Sequence, residues 1–379
     1  MKMARPICAF AVVLLLANLT GCAGVIRQDP VNVYSPPTPP SERSAIAHDL
    51  PPVRRVDLRG GRPYRHFATY GQCQMELSHT LDPSSGLPVI ADDCRTKVED
   101  CISLAVKEKV DVLILPELAL GFRETTRSAI METLRKVSQE QGMVFIAGSF
   151  YDGNRQSRIP VIGPGWEVYG YKLKPSRFES SPKYGLGMRE GRELLILETV
   201  FGRIIPLTCV DLISDAVQYS VRNLATRGQV DVVANVNFNP AAWEFMIEGN
   251  GIARRHPVIV SITNVSGSPD PKVKAECRQK GDNGYCFGNS ALFASMRERS
   301  SDCPNCAGAV SDLVDPVFKT GSVRSLPYDT LVAAIPPFQE GMLIYDVNLR
   351  LIREPASTNA PDQGYPVVRN VKRIMLSAP

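Results

Sequence analysis

An α/β fold is predicted by three features of this sequence. Strand-like and helix-like segments alternate from about residue 60 onward, several of the strand-like runs are apolar on both faces, and helix-length amphipathic segments separate them. The first strand is read at His66, Phe67, Ala68, Thr69 and Tyr70. Residues 93–109 follow as a helix, because Cys94, Val98, Cys101, Ile102 and Ala105 recur at helical spacing and share one face. Val112, Leu113, Ile114 and Leu115 are an unbroken apolar run, the mark of a strand buried on both sides. A second helix is expected over 125–140, opened by Thr125 and Thr126 as caps and closed at Gly142, with a strand over 144–148 after it. Residues 230–236 and 257–264 repeat the buried-strand pattern, with a helix-length segment, 240–253, between them. No internal repeat and no second independent domain is visible.

A chain of 379 residues with 44% hydrophobic content is long and apolar enough to bury a full core. The net charge is only +4, from 43 basic and 39 acidic residues spread along the chain, so no nucleic-acid partner and no polybasic membrane patch is indicated.

The N-terminus carries a different message. Lys2 and Arg5 precede an apolar stretch from Ile7 to Leu19, too short to span a bilayer comfortably but suited to a secretory signal core. Leu19-Thr20-Gly21-Cys22 closes it and resembles a bacterial lipobox, in which the cysteine becomes the first mature residue and carries lipid. Residues 1–21 are therefore read as a lipoprotein signal peptide and Cys22 as the lipidation site; an ordinary signal peptide with an incidental Cys22 is the simpler alternative. Ala23, where Asp would stand in an inner-membrane lipoprotein, implies by the same resemblance an outer-membrane anchor facing the periplasm of a Gram-negative cell envelope. Residues 22–52 contain Pro30, Pro36, Pro37, Pro39, Pro40, Pro51 and Pro52 among polar residues, a composition that gives an extended tether and no core. The folded domain is expected over 53–379.

Three reactive side chains stand where strands are expected to end, the place where active sites assemble in layered α/β proteins. Glu117 follows Val112-Leu113-Ile114-Leu115-Pro116, a lysine at 172 or 174 follows Val168-Tyr169-Gly170-Tyr171, and Cys209 follows Ile204-Ile205-Pro206-Leu207-Thr208. A thiol reacts as its thiolate, and an unperturbed cysteine is mostly protonated at neutral pH, so Cys209 needs a base or a cation beside it. Histidine is the usual base, but none of His48, His66, His79 and His256 lies in a recognisable cysteine-protease context. Glu117 can serve if burial raises its pKa, and the lysine can stabilise both the thiolate and the oxyanion formed when the sulfur attacks a carbonyl or nitrile carbon. The backbone N–H of Val210 is a natural second oxyanion donor. Taken singly, each residue has a plainer reading: Cys209 as a small core residue, Glu117 as a partner of a helix dipole, the lysine as a solvated surface charge.

The order Glu, Lys, Cys with these flanks resembles the nitrilase, or carbon-nitrogen hydrolase, superfamily. Pro116-Glu117-Leu118-Ala119-Leu120-Gly121-Phe122 is similar to its acid motif, residues 172–179 to its lysine segment, and Leu207-Thr208-Cys209-Val210-Asp211 to its nucleophile turn. Weaker echoes are Ala147-Gly148-Ser149, residues 230–235 and 258–267, and Gly288-Asn289-Ser290; together the matching pieces run from about 64 to 352. The resemblance implies a four-layer α-β-β-α sandwich and a Glu117, Lys172, Cys209 triad. It also implies a second glutamate, Glu179, that orients the lysine and the substrate amine. Lys172 leaves seven residues to Glu179, close to the family interval, whereas Lys174 leaves five; strand alternation puts both lysines on one face and does not choose, and the interval favours Lys172. The family's usual Lys-x-His-Leu pattern is absent, with Lys174-Pro175 in place of its second half. Asp211 fits the family pattern as a turn-stabilising residue, and Trp243 and Phe245 follow a strand end where the family lines its substrate pocket, core packing being an equal reading.

The resemblance implies hydrolysis of a small-molecule amide or nitrile through a Cys209 thioester, without a cofactor. The alternatives are N-acyl transfer, which branches of the family perform, and a non-catalytic binding protein that keeps the fold. A homodimer through residues 214–227 is implied by the same family, while specificity is expected in loops such as 265–286 and 299–322. Seven further cysteines suit an exported protein. Cys277 with Cys286 and Cys303 with Cys306 are expected as local pairs, and Cys73 with Cys94 or Cys101. No Cys or His pair with zinc spacing accompanies Cys303 and Cys306, so no metal is expected.

Overall fold

The computed structural model describes residues 50–180, 186–240, 242–267, 287–294, 330–353 and 367–376. The signal segment, Cys22, most of the Pro-rich tether, the pairs Cys277–Cys286 and Cys303–Cys306, and most of the two loops expected to set specificity lie outside the described residues. In chain order the elements are β1 (Val53–Asp57), β2 (Phe67–Gln74), β3 (His79–Leu81), β4 (Pro88–Ile90), α1 (Arg95–Lys107), β5 (Val112–Ile114), α2 (Glu124–Gln141), β6 (Val144–Ile146), β7 (Phe150–Tyr151), β8 (Ser157–Gly163), β9 (Trp166–Tyr171) and α3 (Arg177–Ser180). They continue with β10 (Leu194–Thr199), β11 (Gly202–Thr208), α4 (Asp215–Thr226), β12 (Val232–Asn237), α5 (Ala242–Arg255), β13 (Ile259–Asn264), β14 (Ser290–Ala294), β15 (Leu331–Ile335), β16 (Gly341–Asn348), α6 (Leu349–Arg353) and β17 (Val368–Met375).

Two mixed sheets face each other. One runs β1-β10-β11-β12-β13-β14-β15; the other runs β17-β16-β2-β5-β6-β8-β7, with β9 paired to β8. Period-2 alternation divides each strand between two cores. Val112 and Ile114 meet Ile204, Val232, Ala234 and Val236 between the sheets, while Leu113 and Leu115 pack outward with Val98, Ile102, Ile130 and Leu134 of α1 and α2. On the other side Ile205, Leu207 and Val233 turn outward to Val217, Val221, Phe245 and Ile252 of α4 and α5. Three apolar layers thus separate helix, sheet, sheet and helix, giving the α-β-β-α sandwich.

Several boundaries differ from the sequence reading for identifiable reasons. The first long strand does not stop at Tyr70 but continues to Gln74. Its buried glutamines are satisfied: Gln72 accepts from Ser261 Oγ, and Gln74 Nε2 donates to the carbonyls of Pro336 and Gln339 at 2.7 and 2.8 Å. Residues 92–94 form a separate 3-10 turn ahead of α1, so Cys94 precedes the helix on which it was placed. The second helix starts at Glu124, with Arg123 at its N-cap; Thr126 sits in the first turn and donates to Asp92 Oδ1 at 2.8 Å. Cys73 is bonded to Cys101, joining β2 to α1, and Cys94 is free, its sulfur 3.4 Å from the Ser78 N–H. Among the described residues no helix is long and apolar enough to cross a membrane.

Candidate active site

The parallel strands β5, β11, β12 and β13 deliver their C-terminal ends to one end of the sandwich, and the reactive side chains stand there. Glu117 lies three residues beyond β5, in a loop packed against the chain that follows β6. Gly148 makes that packing feasible, for a side chain there would meet the Pro116 carbonyl at 2.1 Å, and its φ of +73° already suits glycine. Ser149 fixes the loop by accepting the Leu118 N–H on Oγ at 3.1 Å and the Leu120 N–H on its carbonyl at 3.3 Å. Leu118 takes a φ of +63° at the turn.

Lys172 follows β9 directly, its N–H donating to Ser157 and its carbonyl accepting from Gly191. Its side chain is buried between two carboxylates, with Nζ 3.1 Å from Glu117 Oε1 and 2.7 Å from Glu179 Oε2. Lys174 is 41% exposed and pairs with Glu190 at 3.3 Å. The expectation that alternation holds both lysines on one face fails because β9 ends at Tyr171, before either of them. Glu179, on the short α3, is anchored by the Ser176 N–H at 2.7 Å and by the Tyr151 hydroxyl.

Cys209 opens a 3-10 turn at the end of β11 with a φ of +50°, a region a non-glycine residue enters at a cost of about 1–3 kcal/mol and which is characteristic of functional turns. The thiol is unbridged and buried, and it accepts from Asn239 Nδ2 at 3.5 Å. Val210 follows it half-buried, in the first turn, where backbone N–H groups lack partners within the turn itself. Asp211 ties this turn to the lysine segment. Its Oδ1 accepts from Leu173 and Lys174 N–H at 2.9 and 2.8 Å, and its Oδ2 from Thr208 N–H at 3.2 Å. The aspartate read from sequence as a turn residue is thus also a brace between the carrier of Lys172 and the carrier of Cys209.

The electrostatics follow from one cation shared by two anions in a buried site. Burial raises the pKa of Glu117; Lys172 pulls it down, while the second carboxylate, Glu179, adds to the rise. Burial also works against charge on Glu179, but Lys172, the Tyr151 hydroxyl and the Ser176 N–H outweigh it and hold its pKa low. For Lys172 the two carboxylates overcome the burial penalty and keep the ammonium charged. Burial pushes the resting Cys209 thiol up to about 12, Glu117 adding to the rise and Lys172 opposing it. The resting state is therefore a neutral thiol beside a carboxylate of raised basicity, an arrangement suited to proton transfer between the two.

Three contributors are absent from the sequence reading. Phe238 donates its N–H to Glu117 Oε2 at 2.8 Å, Asn239 reaches the sulfur, and Tyr151 holds Glu179. Only the strand end at Asn237 followed by Asn239-Pro240 could have hinted at the first two; nothing in the sequence around Tyr151 points to its partner. Trp243 stands half-buried in the first turn of α5, whereas Phe245 is fully buried in the helix-sheet core. Tyr151 also lines a neighbouring cleft of about 350 Å³, together with Phe122, Arg127, Asp152, Val89 and Ser85. Among the described residues no group of three His, Cys, Asp or Glu side chains is arranged to hold a metal.

No family model and no curated protein matches the sequence. Solved structures do match. XC1258 from Xanthomonas campestris, a CN-hydrolase superfamily protein with an arsenic adduct in its active site, is 17% identical; the match covers 77% of this chain and 96% of that one, with a TM-score of 0.50. A mutant of the amidase from Nesterenkonia sp. AN1, with a covalently added acetamide moiety at its active-site cysteine, is 13% identical over 78% of this chain and 97% of that one, with a TM-score of 0.49. A further structure of an amidase from Nesterenkonia sp. is 15% identical over 62% and 86%, with a TM-score of 0.44. At these identities the likeness is one of fold.

Proposed function

We propose that this chain, whose fold is that of the nitrilase or carbon-nitrogen hydrolase superfamily, hydrolyses a non-peptide C–N bond of a small amide or nitrile through a thioester on Cys209. The observation that carries the reading is the buried Lys172 held between Glu117 and Glu179 beside an unbridged cysteine on a left-handed turn. In the amide reaction Glu117 takes the thiol proton as Sγ bonds to the carbonyl carbon, and the oxygen gains a charge stabilised by the Lys172 ammonium and the Val210 N–H. The proton passes from Glu117 to the leaving amine as the C–N bond breaks, leaving the acyl thioester. Water, deprotonated by Glu117, then attacks that carbonyl, and the acid leaves as the thiol is restored. Glu179 keeps Lys172 aimed, and Asp211 keeps its backbone in register with the nucleophile turn.

Incubation with a panel of short amides and nitriles, followed by detection of released ammonia and acid, tests the reaction. Activity lost in Cys209→Ala supports it, and a panel turned over equally by both proteins contradicts it. N-acyl transfer is the second reading, favoured by the lipobox at Cys22, which would bring the site to acylated material. An added amine acceptor that yields acylated amine in place of free acid would select it. The membrane tether through Cys22 and a homodimer through α4 belong to the same proposal. Loss of radiolabelled fatty-acid incorporation in Cys22→Ser checks the first, and a dimer mass on size-exclusion chromatography checks the second.

A further inference from the structure

The charge balance of the site leaves a requirement that Lys172 does not meet alone. Two carboxylates already share its single positive charge, so when the Cys209 proton passes to Glu117 the site keeps one net negative charge and moves it onto a buried sulfur that must share Lys172 with Glu179. A neutral donor aimed at the sulfur relieves this without altering the charge balance. Asn239 is such a donor, its Nδ2 lying 3.5 Å from Sγ.

Its placement is built by several contacts. The buried Asn264 grips the backbone of Asn239 at both ends, accepting its N–H on Oδ1 at 3.1 Å and donating Nδ2 to its carbonyl at 2.8 Å. Asn264 is itself fixed, for Nδ2 also donates to the Gly288 carbonyl at 2.8 Å and its own N–H donates to Ser290 Oγ at 2.9 Å. Ser290 in turn donates its N–H to Gln74 Oε1 at 2.9 Å, connecting the grip to the opposite sheet. Pro240 follows Asn239 and narrows its backbone freedom further. One residue earlier, the Phe238 N–H meets Glu117 Oε2, so two consecutive residues serve the base and the nucleophile.

We infer that Asn239 is a further catalytic residue, whose side-chain amide hydrogen-bonds the Cys209 sulfur and stabilises it as thiolate while the proton resides on Glu117. Asn264 is its positioning residue. The inference rests on reading Cys209 as the nucleophile.

The test is the rate of Cys209 alkylation by iodoacetamide across pH in the folded full chain, followed by peptide mass, with Cys94 as internal reference. Removing a hydrogen bond to a charged sulfur in Asn239→Ala is expected to slow labelling about tenfold or more at neutral pH and to move the midpoint of the profile upward. Asn239→Asp keeps the shape and adds a negative charge, so it should shift the midpoint further than alanine, an effect that loss of structure alone would not order in this way. Asn264→Ala should give a smaller shift in the same direction, and Cys94 labelling should not move. Should Asn239→Ala fail to fold, Asn239→Asp supplies the same comparison. Wild-type rates and midpoints in both Asn239 variants would overturn the role of Asn239 while leaving Cys209 as the nucleophile. A Cys209 labelled no faster than Cys94 in the folded wild-type protein would overturn the nucleophile reading and this inference with it.

Discussion

An ion cluster stands at each end of the strand pair β11 and β12, and the two clusters are built with opposite arithmetic. At the N-terminal ends one carboxylate, Asp231, is held by two guanidinium groups: Arg203 Nη2 at 2.5 Å on Oδ1 and Arg353 Nη2 at 2.7 Å on Oδ2, with the Arg203 N–H also donating. Burial works against that charge, but the two arginines overcome it and hold the Asp231 pKa below its ordinary value. At the C-terminal ends one ammonium, Lys172, is held by two carboxylates, and burial, with Glu179 adding to it against the pull of Lys172, raises the pKa of Glu117. An anion with surplus donors has no proton to give and only stabilises the fold. A cation with surplus acceptors keeps one carboxylate basic beside a thiol. On the proposed reading the difference separates structural from chemical use of buried charge, and it lies in stoichiometry more than in distance.

The largest expected effect breaks the chemical end alone. Cys209→Ala should lower kcat by at least about 10⁴-fold on any amide or nitrile the protein turns over, since a missing nucleophile has no substitute in the site. The melting temperature should stay within about 3 °C, corresponding to about 2 kcal/mol for a domain of this size. Glu117→Gln keeps the shape of the acid but removes the proton acceptor, and should lower kcat about 10³-fold in steady-state assays. Asp231→Asn tests the structural end. Removing the charge of the buried carboxylate that pairs two partly buried guanidinium groups should cost about 3 kcal/mol in urea unfolding, with kcat per folded molecule unchanged.

The smallest expected effect is a difference in the sign of two pH slopes. Asp231 is lowered in the fold, so its contribution is present above the ordinary carboxylate value of 3.8 and is lost as pH falls through its lower folded value. Asp211 is raised by burial from 3.8 to about 7, against the pull of Lys172 and its three N–H donors, so its contribution is present below 3.8 and is lost as pH rises through about 7. Urea midpoints measured from pH 4 to 7 should therefore fall in the wild type. Asp211→Asn should flatten that fall by about 1 kcal/mol or more across the window, and Asp231→Asn should leave it unchanged.

What could be read from the sequence and what could not divides along a physical line. The strand over Val112 to Ile114 was legible because both of its faces are buried, and Glu117 and Cys209 were legible because each closes an apolar run. The ends of elements were not. Gln72 and Gln74 look like the exit from a strand until their partners on the facing sheet and the neighbouring loop are known, and strand alternation does not separate Lys172, which the interval to Glu179 favours, from Lys174 until β9 is seen to stop at Tyr171. Tyr151 with Glu179, Asp211 with Leu173, and Asn239 with Cys209 are contacts across 28, 38 and 30 residues. No local pattern encodes such pairings; the tertiary fold alone creates them.

The central claim is that the sulfur of Cys209 carries the acyl group, and it is met most directly by acid-quenched mass spectrometry of the full chain during turnover of an amide. The expected result is a mass increase of one acyl group on the peptide bearing Cys209, prolonged in Glu117→Gln because the attacking water loses its base. An amide that is turned over with no adduct on Cys209 in either protein, or with the adduct on Cys94, would contradict it.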